Sequence, residues 1–241
     1  MAVFIPLFVR THDFHFSFAQ AIPLLFICIS TFIANDLDDL ERDCVNHPDR
    51  PLPRGQIPPA FAVALFFAFL GLALFSTRHY VSPGIAFWYY ALFSFAISYA
   101  YIVEWLPSLK APYVALMSSV PVLILAAWYP NDRRFYSLAG AMFLLTAGRE
   151  VCMDIRDRPG DGTSSLQRFD PAFLAVVGLV FQAAGLLLLA TQVRKAGEVI
   201  DLVIMTAVLA TATLSWFTFK RQRSAIILMK TQFLLGLYFL T

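Results

Sequence analysis

Eight apolar runs divide this chain, at residues 14–34, 60–77, 84–103, 111–129, 135–153, 171–191, 200–219 and 225–241. Their lengths fit the roughly 17–25 residues that a helix needs to cross the hydrocarbon core of a bilayer. Hydrophobic residues make up 59% of the 241 and charged residues only 14%, where a soluble domain carries about a quarter charged. A chain of this size buries only about 70% of its surface on folding, so the surplus apolar mass must face lipid. Intrinsic disorder, a disulfide-stapled secreted scaffold and a nucleic-acid-binding domain are excluded on these grounds. None of the runs has the polar stripe of a water-facing helix, and none alternates as a barrel strand does. The expected fold is an all-α integral membrane bundle of about eight transmembrane helices, forming one domain over 1–241. No cleavable leader is expected, and Cys28, Cys44 and Cys152 read as filler. His12 and His15 lack a third ligand and read as interfacial residues.

The charges are confined to the connections. Alternating the spans across the membrane puts the 36–59, 104–110, 154–170 and 220–224 connections on one side. With Arg149 and Lys230 at the adjoining helix ends, that side holds 12 of the 18 Lys and Arg residues, which makes it cytoplasmic by the positive-inside rule. It also holds 12 of the 16 carboxylates, which a merely solvated loop does not require.

The carboxylates form two ladders. Asp36, Asp39 and Asp43 stand at i, i+3 and i+7, and Asp154, Asp157 and Asp161 repeat that spacing 118 positions later, with Glu150 one turn before. Both ladders end an apolar helix on the same side, where the helix dipole disfavours negative charge. So many acids facing one cavity cannot all ionise near neutral pH without cations. Oxygen ligands with no clustered His or Cys select Mg²⁺, which takes one or two carboxylates together with substrate phosphate, so a diphosphate is the natural third party. Arg50, Arg54, Lys110 and Arg149 are the basic side chains placed to neutralise it. Lys110 leads because it follows an apolar span on the side of both ladders.

Asn35-Asp36-x-x-Asp39-x-x-x-Asp43, then Arg50-Pro-Leu-Pro-Arg-Gly55, then Asp154-x-x-Asp157-x-x-x-Asp161 resemble the UbiA superfamily of intramembrane prenyltransferases over nearly the whole chain. The resemblance implies a ring of nine transmembrane helices around a central cavity that takes Mg²⁺, an isoprenyl diphosphate donor and a lipophilic or aromatic acceptor. Carried over, it places Asn35, Asp36, Asp39 and Asp43 in one metal site and Asp154, Asp157 and Asp161 in a second. Arg50 and Lys110 then act on the leaving diphosphate, with Arg54, Arg149 and Glu150 beside the substrate. Tyr101 and Trp105, before Lys110, are the rings expected near the allylic cation. Met153 stands where many members carry lysine, and the family's first helix is expected to be missing. Two other readings share parts of this pattern: a membrane terpene cyclase using the same metal chemistry, and a transporter, whose ionisable groups usually sit nearer the bilayer midplane.

Overall fold

The computed structural model describes residues 3–157 and 169–190. Among these there are eight α-helices, one 3₁₀ turn and no strand: α1 (Phe4–Thr11), α2 (Phe14–Asp38), α3 (Leu40–Asn46), α4 (Pro59–Tyr80), α5 (Pro83–Trp105), the turn Pro107–Leu109, α6 (Lys110–Trp128), α7 (Arg134–Asp157) and α8 (Pro171–Ala190). The first six expected spans coincide with α2, α4, α5, α6, α7 and α8. The spans expected at 200–219 and 225–241 lie outside the described residues.

α2, α4, α6 and the Pro171–Leu189 stretch of α8 are long and apolar enough to cross a bilayer. α5 and α7 have the length, at 23 and 24 residues, but α5 is rich in Tyr and Trp and α7 carries charge in its last turns. Proline starts α4, α5 and α8, where its missing N–H costs nothing and its fixed φ suits a first helical residue. Pro23 and Pro121 lie inside α2 and α6. Neighbouring helices make such interruptions tolerable in membrane proteins.

The short helix α1 precedes the first apolar run and, at 8 residues, is too short to cross a bilayer. Asp13 caps the start of α2 by accepting from the Phe16 N–H at 2.9 Å. His12 closes α1 in the left-handed region at φ 54°, a conformation in which His is enriched. Arg10 ties α1 to the α6–α7 turn: it donates to Asp132 Oδ2 at 2.6 Å and lies over the rings of Tyr129 and Phe135. Arg134 also chelates Asp132. The Arg134 hydrogen bonds, with Arg10 adding to them, hold the Asp132 carboxyl well below the usual carboxylate range despite its partial burial.

α7 lies between α6 and α8, and glycine sets its distance from α8. A Cβ on Gly148 would stand 2.8 Å from the Gly178 carbonyl oxygen, and one on Gly185 would stand 3.1 Å from that of Ala141. Small residues permit this backbone approach, which replaces the hydrophobic drive that lipid removes. Across the same seam, buried Gln182 donates to the Leu145 carbonyl at 2.7 Å. α2 packs against α4 and, less extensively, against α5. Near the end of the bundle away from the acidic loops, Tyr89 Oη donates to the Gln20 carbonyl at 2.7 Å and Gln20 Nε2 donates to the Tyr80 carbonyl at 2.8 Å.

Candidate active site

A cavity of about 550 Å³ opens between α2, α3, α5, α6 and α7. Its walls divide by chemistry. Ala21, Leu24, Ile27, Leu92, Met117 and Met142 line the deep part; Asn35, Asp39, Asp43, Arg50, Lys110 and Glu150 line the end toward the acidic loops.

The first ladder reaches the cavity through a jog rather than a straight helix. α2 ends at Asp38 and α3 begins at Leu40; Asp39 between them has φ −84° and ψ 1°. The turn is nearly preserved, because the Asp39 N–H donates to the Asn35 carbonyl at 2.9 Å and the Asp43 N–H donates to the Asp39 carbonyl at 2.7 Å. Asn35, Asp39 and Asp43 therefore follow one another at i, i+4 and i+8 along the cavity wall. Asp36 does not share it. It lines a separate pocket of about 110 Å³ with Ile33, Ile57 and Leu65, and Arg50 and Asp43 border both spaces.

Each cavity-lining carboxylate lies against a basic or amide group. Asn35 Nδ2 donates to Asp39 Oδ2 at 2.9 Å and Arg42 donates to Asp39 Oδ1 at 2.8 Å. Burial pushes the Asp39 carboxyl above the ordinary carboxylate range, with Asp38 and Asp43 adding to the push, against the opposing pull of Arg42 and Lys110. Arg50 donates to buried Asp43 and lies 3.6 Å from Asp36 Oδ1. Arg149 donates to buried Glu150.

Lys110 joins the two ladders. It is the first residue of α6, and its Nζ stands 2.8 Å from Oδ1 of buried Asp154 on α7. A cation at a helix N-terminus opposes the dipole, so the position is justified by the acids it faces and not by helix stability.

Two of the remaining expected site residues, Arg54 and Trp105, are placed elsewhere. Arg54 pairs with Asp49 on the surface. Trp105 ends α5 with 80% of its surface exposed and does not border the cavity. The side chains of Tyr101 and Asp157, and the whole of Asp161, lie outside the described residues. Tyr99 lines the cavity instead. The signal that would have found it is helical phase: Leu92 and Tyr99, seven apart on α5, lie on the same cavity-facing side.

Among the described residues no three His, Cys, Asp or Glu side chains converge closely enough to hold an ion by themselves. The donor set still fits Mg²⁺. Asn35, Asp39, Asp43 and Glu150 offer oxygen at the mouth of one cavity, and Mg²⁺ commonly completes its shell with water and substrate phosphate rather than with a full protein cage.

Fold and site together define a multi-pass integral membrane protein with an apolar cavity whose mouth is lined by paired acids and bases. The profile of the UbiA prenyltransferase family matches residues 7–237, and the chain belongs to that family. It is 34% identical over 140 residues to the digeranylgeranylglyceryl phosphate synthase of Pyrococcus abyssi, a match covering 56% of this chain and 48% of that protein. To the protein of the same name from Natronomonas pharaonis it is 27% identical over 161 residues, covering 65% of this chain and 56% of the relative. The chain thus spans about half the length of the curated relatives it matches. The apo structure of a UbiA homolog from Aeropyrum pernix K1 superposes with a TM-score of 0.72 at 17% identity, covering 92% of this chain and 90% of that one. That likeness establishes the shared fold.

Proposed function

We propose that this chain, acting as one domain, is a Mg²⁺-dependent membrane prenyltransferase. It would take an isoprenyl diphosphate donor and move the prenyl group to a lipophilic acceptor. The observation that carries the reading is the Lys110–Asp154 pair beside Asp39, which brings one acid from each ladder to a lysine at the charged mouth of an apolar cavity. In this reading the donor's diphosphate sits among Lys110, Arg50 and Arg149, and its tail lies along Leu24, Ile27 and Met142.

Asn35, Asp39 and Asp43 from the first ladder, with Asp157 and Asp161 from the second, would hold Mg²⁺, which when bound supplies Lewis-acid neutralisation of the diphosphate oxygens. The chain's own contribution is electrostatic and positional. The bond between the allylic carbon and the diphosphate oxygen breaks, and its electron pair leaves with the diphosphate. Lys110 and Arg50 offset the charge that develops there. Asp154, buried against Lys110, holds the ammonium in place. An acceptor lone pair closes the new bond to the same carbon, and the acceptor proton leaves with the departing diphosphate. The apolar lining keeps water from competing as nucleophile.

The relatives' name describes a glyceryl phosphate bearing two geranylgeranyl groups, which favours transfer over cyclisation. It points to a geranylgeranyl donor and a geranylgeranylglyceryl phosphate acceptor. The excess of basic residues on the acidic-loop side supports a cytoplasmic mouth. The test is a donor-by-acceptor panel in membranes bearing the full chain, read by product mass. Geranylgeranyl diphosphate, geranylgeranylglyceryl phosphate and Mg²⁺ should yield the doubly prenylated lipid. A cyclic hydrocarbon formed without acceptor would replace this reading with a cyclase.

A further inference from the structure

The charged mouth of the cavity answers the negative charge that builds on the leaving diphosphate. It leaves unanswered the positive charge that builds at the same moment on the allylic carbons. A carboxylate would attract that charge but would also trap it as an ester. A neutral aromatic face attracts it through the ring quadrupole without offering a competent nucleophile.

Resting on the prenyl-transfer reading, we infer that Tyr99 is a catalytic residue whose ring faces the allylic cation as the diphosphate departs. Four observations converge on it. Tyr99 lines the cavity on α5, one heptad beyond Leu92 in the apolar part. It shares the cavity lining with Asp39, Lys110 and Glu150 and lies within electrostatic reach of all three and of Asp154, near where the prenyl-transfer reading puts the diphosphate and the first carbons of the tail. Its ring rests against that of Tyr113 on α6, with centroids 5.8 Å apart. Tyr113 is itself fixed, its hydroxyl donating to the Phe95 carbonyl at 2.6 Å and lying 2.7 Å from Ser98 Oγ. The ring is therefore held in place before the reaction begins, and such preorganisation is what makes an electrostatic contribution effective. Phe32, the other benzene ring bordering the cavity among the described residues, is 72% exposed.

The bond changes are those of the transfer itself. The carbon–oxygen bond breaks with its electron pair going to diphosphate, and the acceptor pair forms the new bond. Tyr99 makes and breaks no covalent bond and carries no proton. Its contribution falls on the step that generates charge and not on donor binding.

The experiment uses the full chain in nanodiscs with Mg²⁺, geranylgeranyl diphosphate and geranylgeranylglyceryl phosphate. Single-turnover transfer is compared with the Kd of the unreactive thiolodiphosphate analogue of the donor. Tyr99→Leu should lower the transfer rate about thirtyfold, the size of a desolvated cation–π contact, and leave the analogue Kd within about twofold. Tyr99→Phe should retain the rate within about threefold, and Phe87→Leu, at an exposed ring of the same helix that does not border the cavity, should match the unmodified chain. Ring-fluorinated phenylalanines at position 99, which preserve shape, should slow transfer stepwise as fluorines are added. The inference is overturned if Tyr99→Leu transfers at the full rate, if Tyr99→Phe falls as far as Tyr99→Leu, or if fluorination has no effect. It is also overturned if the loss appears in the analogue Kd alone. An unmodified chain that binds the analogue and transfers nothing would instead overturn the prenyl-transfer reading, and this inference with it.

Discussion

Lys110 Nζ stands 2.8 Å from Asp154 Oδ1, linking the first residue of α6 to the last turns of α7. The aspartate side chain is only 6% exposed. Removing one partner of such a pair leaves a charge in a poorly solvated place, at a cost of about 3 kcal/mol or more. Lys110→Ala and Asp154→Ala should each lower Tm and each abolish transfer. The double variant should recover much of the stability and none of the activity, as a double-mutant cycle of thermal unfolding beside product formation would read.

Asp39 carries a cost of a different sign. Burial raises its carboxyl above the ordinary range of about 4. The folded state therefore binds the proton more tightly than the unfolded chain, and the associated stability is lost as pH rises through the raised value. In metal-free buffer, Asp39→Asn should leave Tm near neutral pH no lower than in the unmodified chain. It should also flatten the dependence of Tm on pH above about 4. Its transfer rate should fall at least about a hundredfold, the signature of a group placed for chemistry at the expense of stability.

The deep end of the cavity should measure the donor. Ala21 and Asn35 are fourteen positions apart on α2, about 21 Å at a rise of about 1.5 Å per residue. An extended isoprene unit spans about 5 Å, given carbon–carbon bonds of about 1.5 Å, so four units fit between them. Ala21→Phe should shift preference from a twenty-carbon donor to a fifteen-carbon one in a competition assay read by product mass.

The α7–α8 seam should transmit strain to the site. Gly148 precedes Arg149 and Glu150, and a Cβ there meets the Gly178 backbone oxygen at 2.8 Å. Gly148→Ala should destabilise by about 1–3 kcal/mol through overpacking and reduce transfer. Gly71→Ala, inside α4 where nothing lies within 4 Å of the added carbon, should leave the rate unchanged and Tm no lower.

Much of this arrangement was legible in the residues. The apolar runs marked the six long helices because lipid demands length and hydrophobicity, both of which are local properties. Lys110 and the two ladders were legible because charge at a membrane edge needs a reason. The side on which Asp36 falls was not: Asp39 and Asp43 border the cavity while Asp36 lines a neighbouring pocket, and a spacing of i, i+3 and i+7 leaves open which edge of that helical face the cavity takes. Trp105 and Tyr99 differ for a similar reason. Both are aromatic and both precede Lys110; helical phase puts Tyr99 on the face of Leu92, but that this face is the one lining the cavity is set by how α5 packs. α1 escaped notice because eight residues are too few to register as a span.

The most direct measurement is the release of inorganic diphosphate from geranylgeranyl diphosphate by the full chain in nanodiscs, with acceptor present and with Mg²⁺ either supplied or chelated. The expected result is release matched one-to-one by prenylated product in Mg²⁺, none after chelation, near-normal release in Arg54→Ala, and at least about a hundredfold less in Asp39→Ala. Undiminished release by Asp39→Ala, or release indifferent to chelation, would contradict the assignment of the paired acids and bases as the diphosphate site.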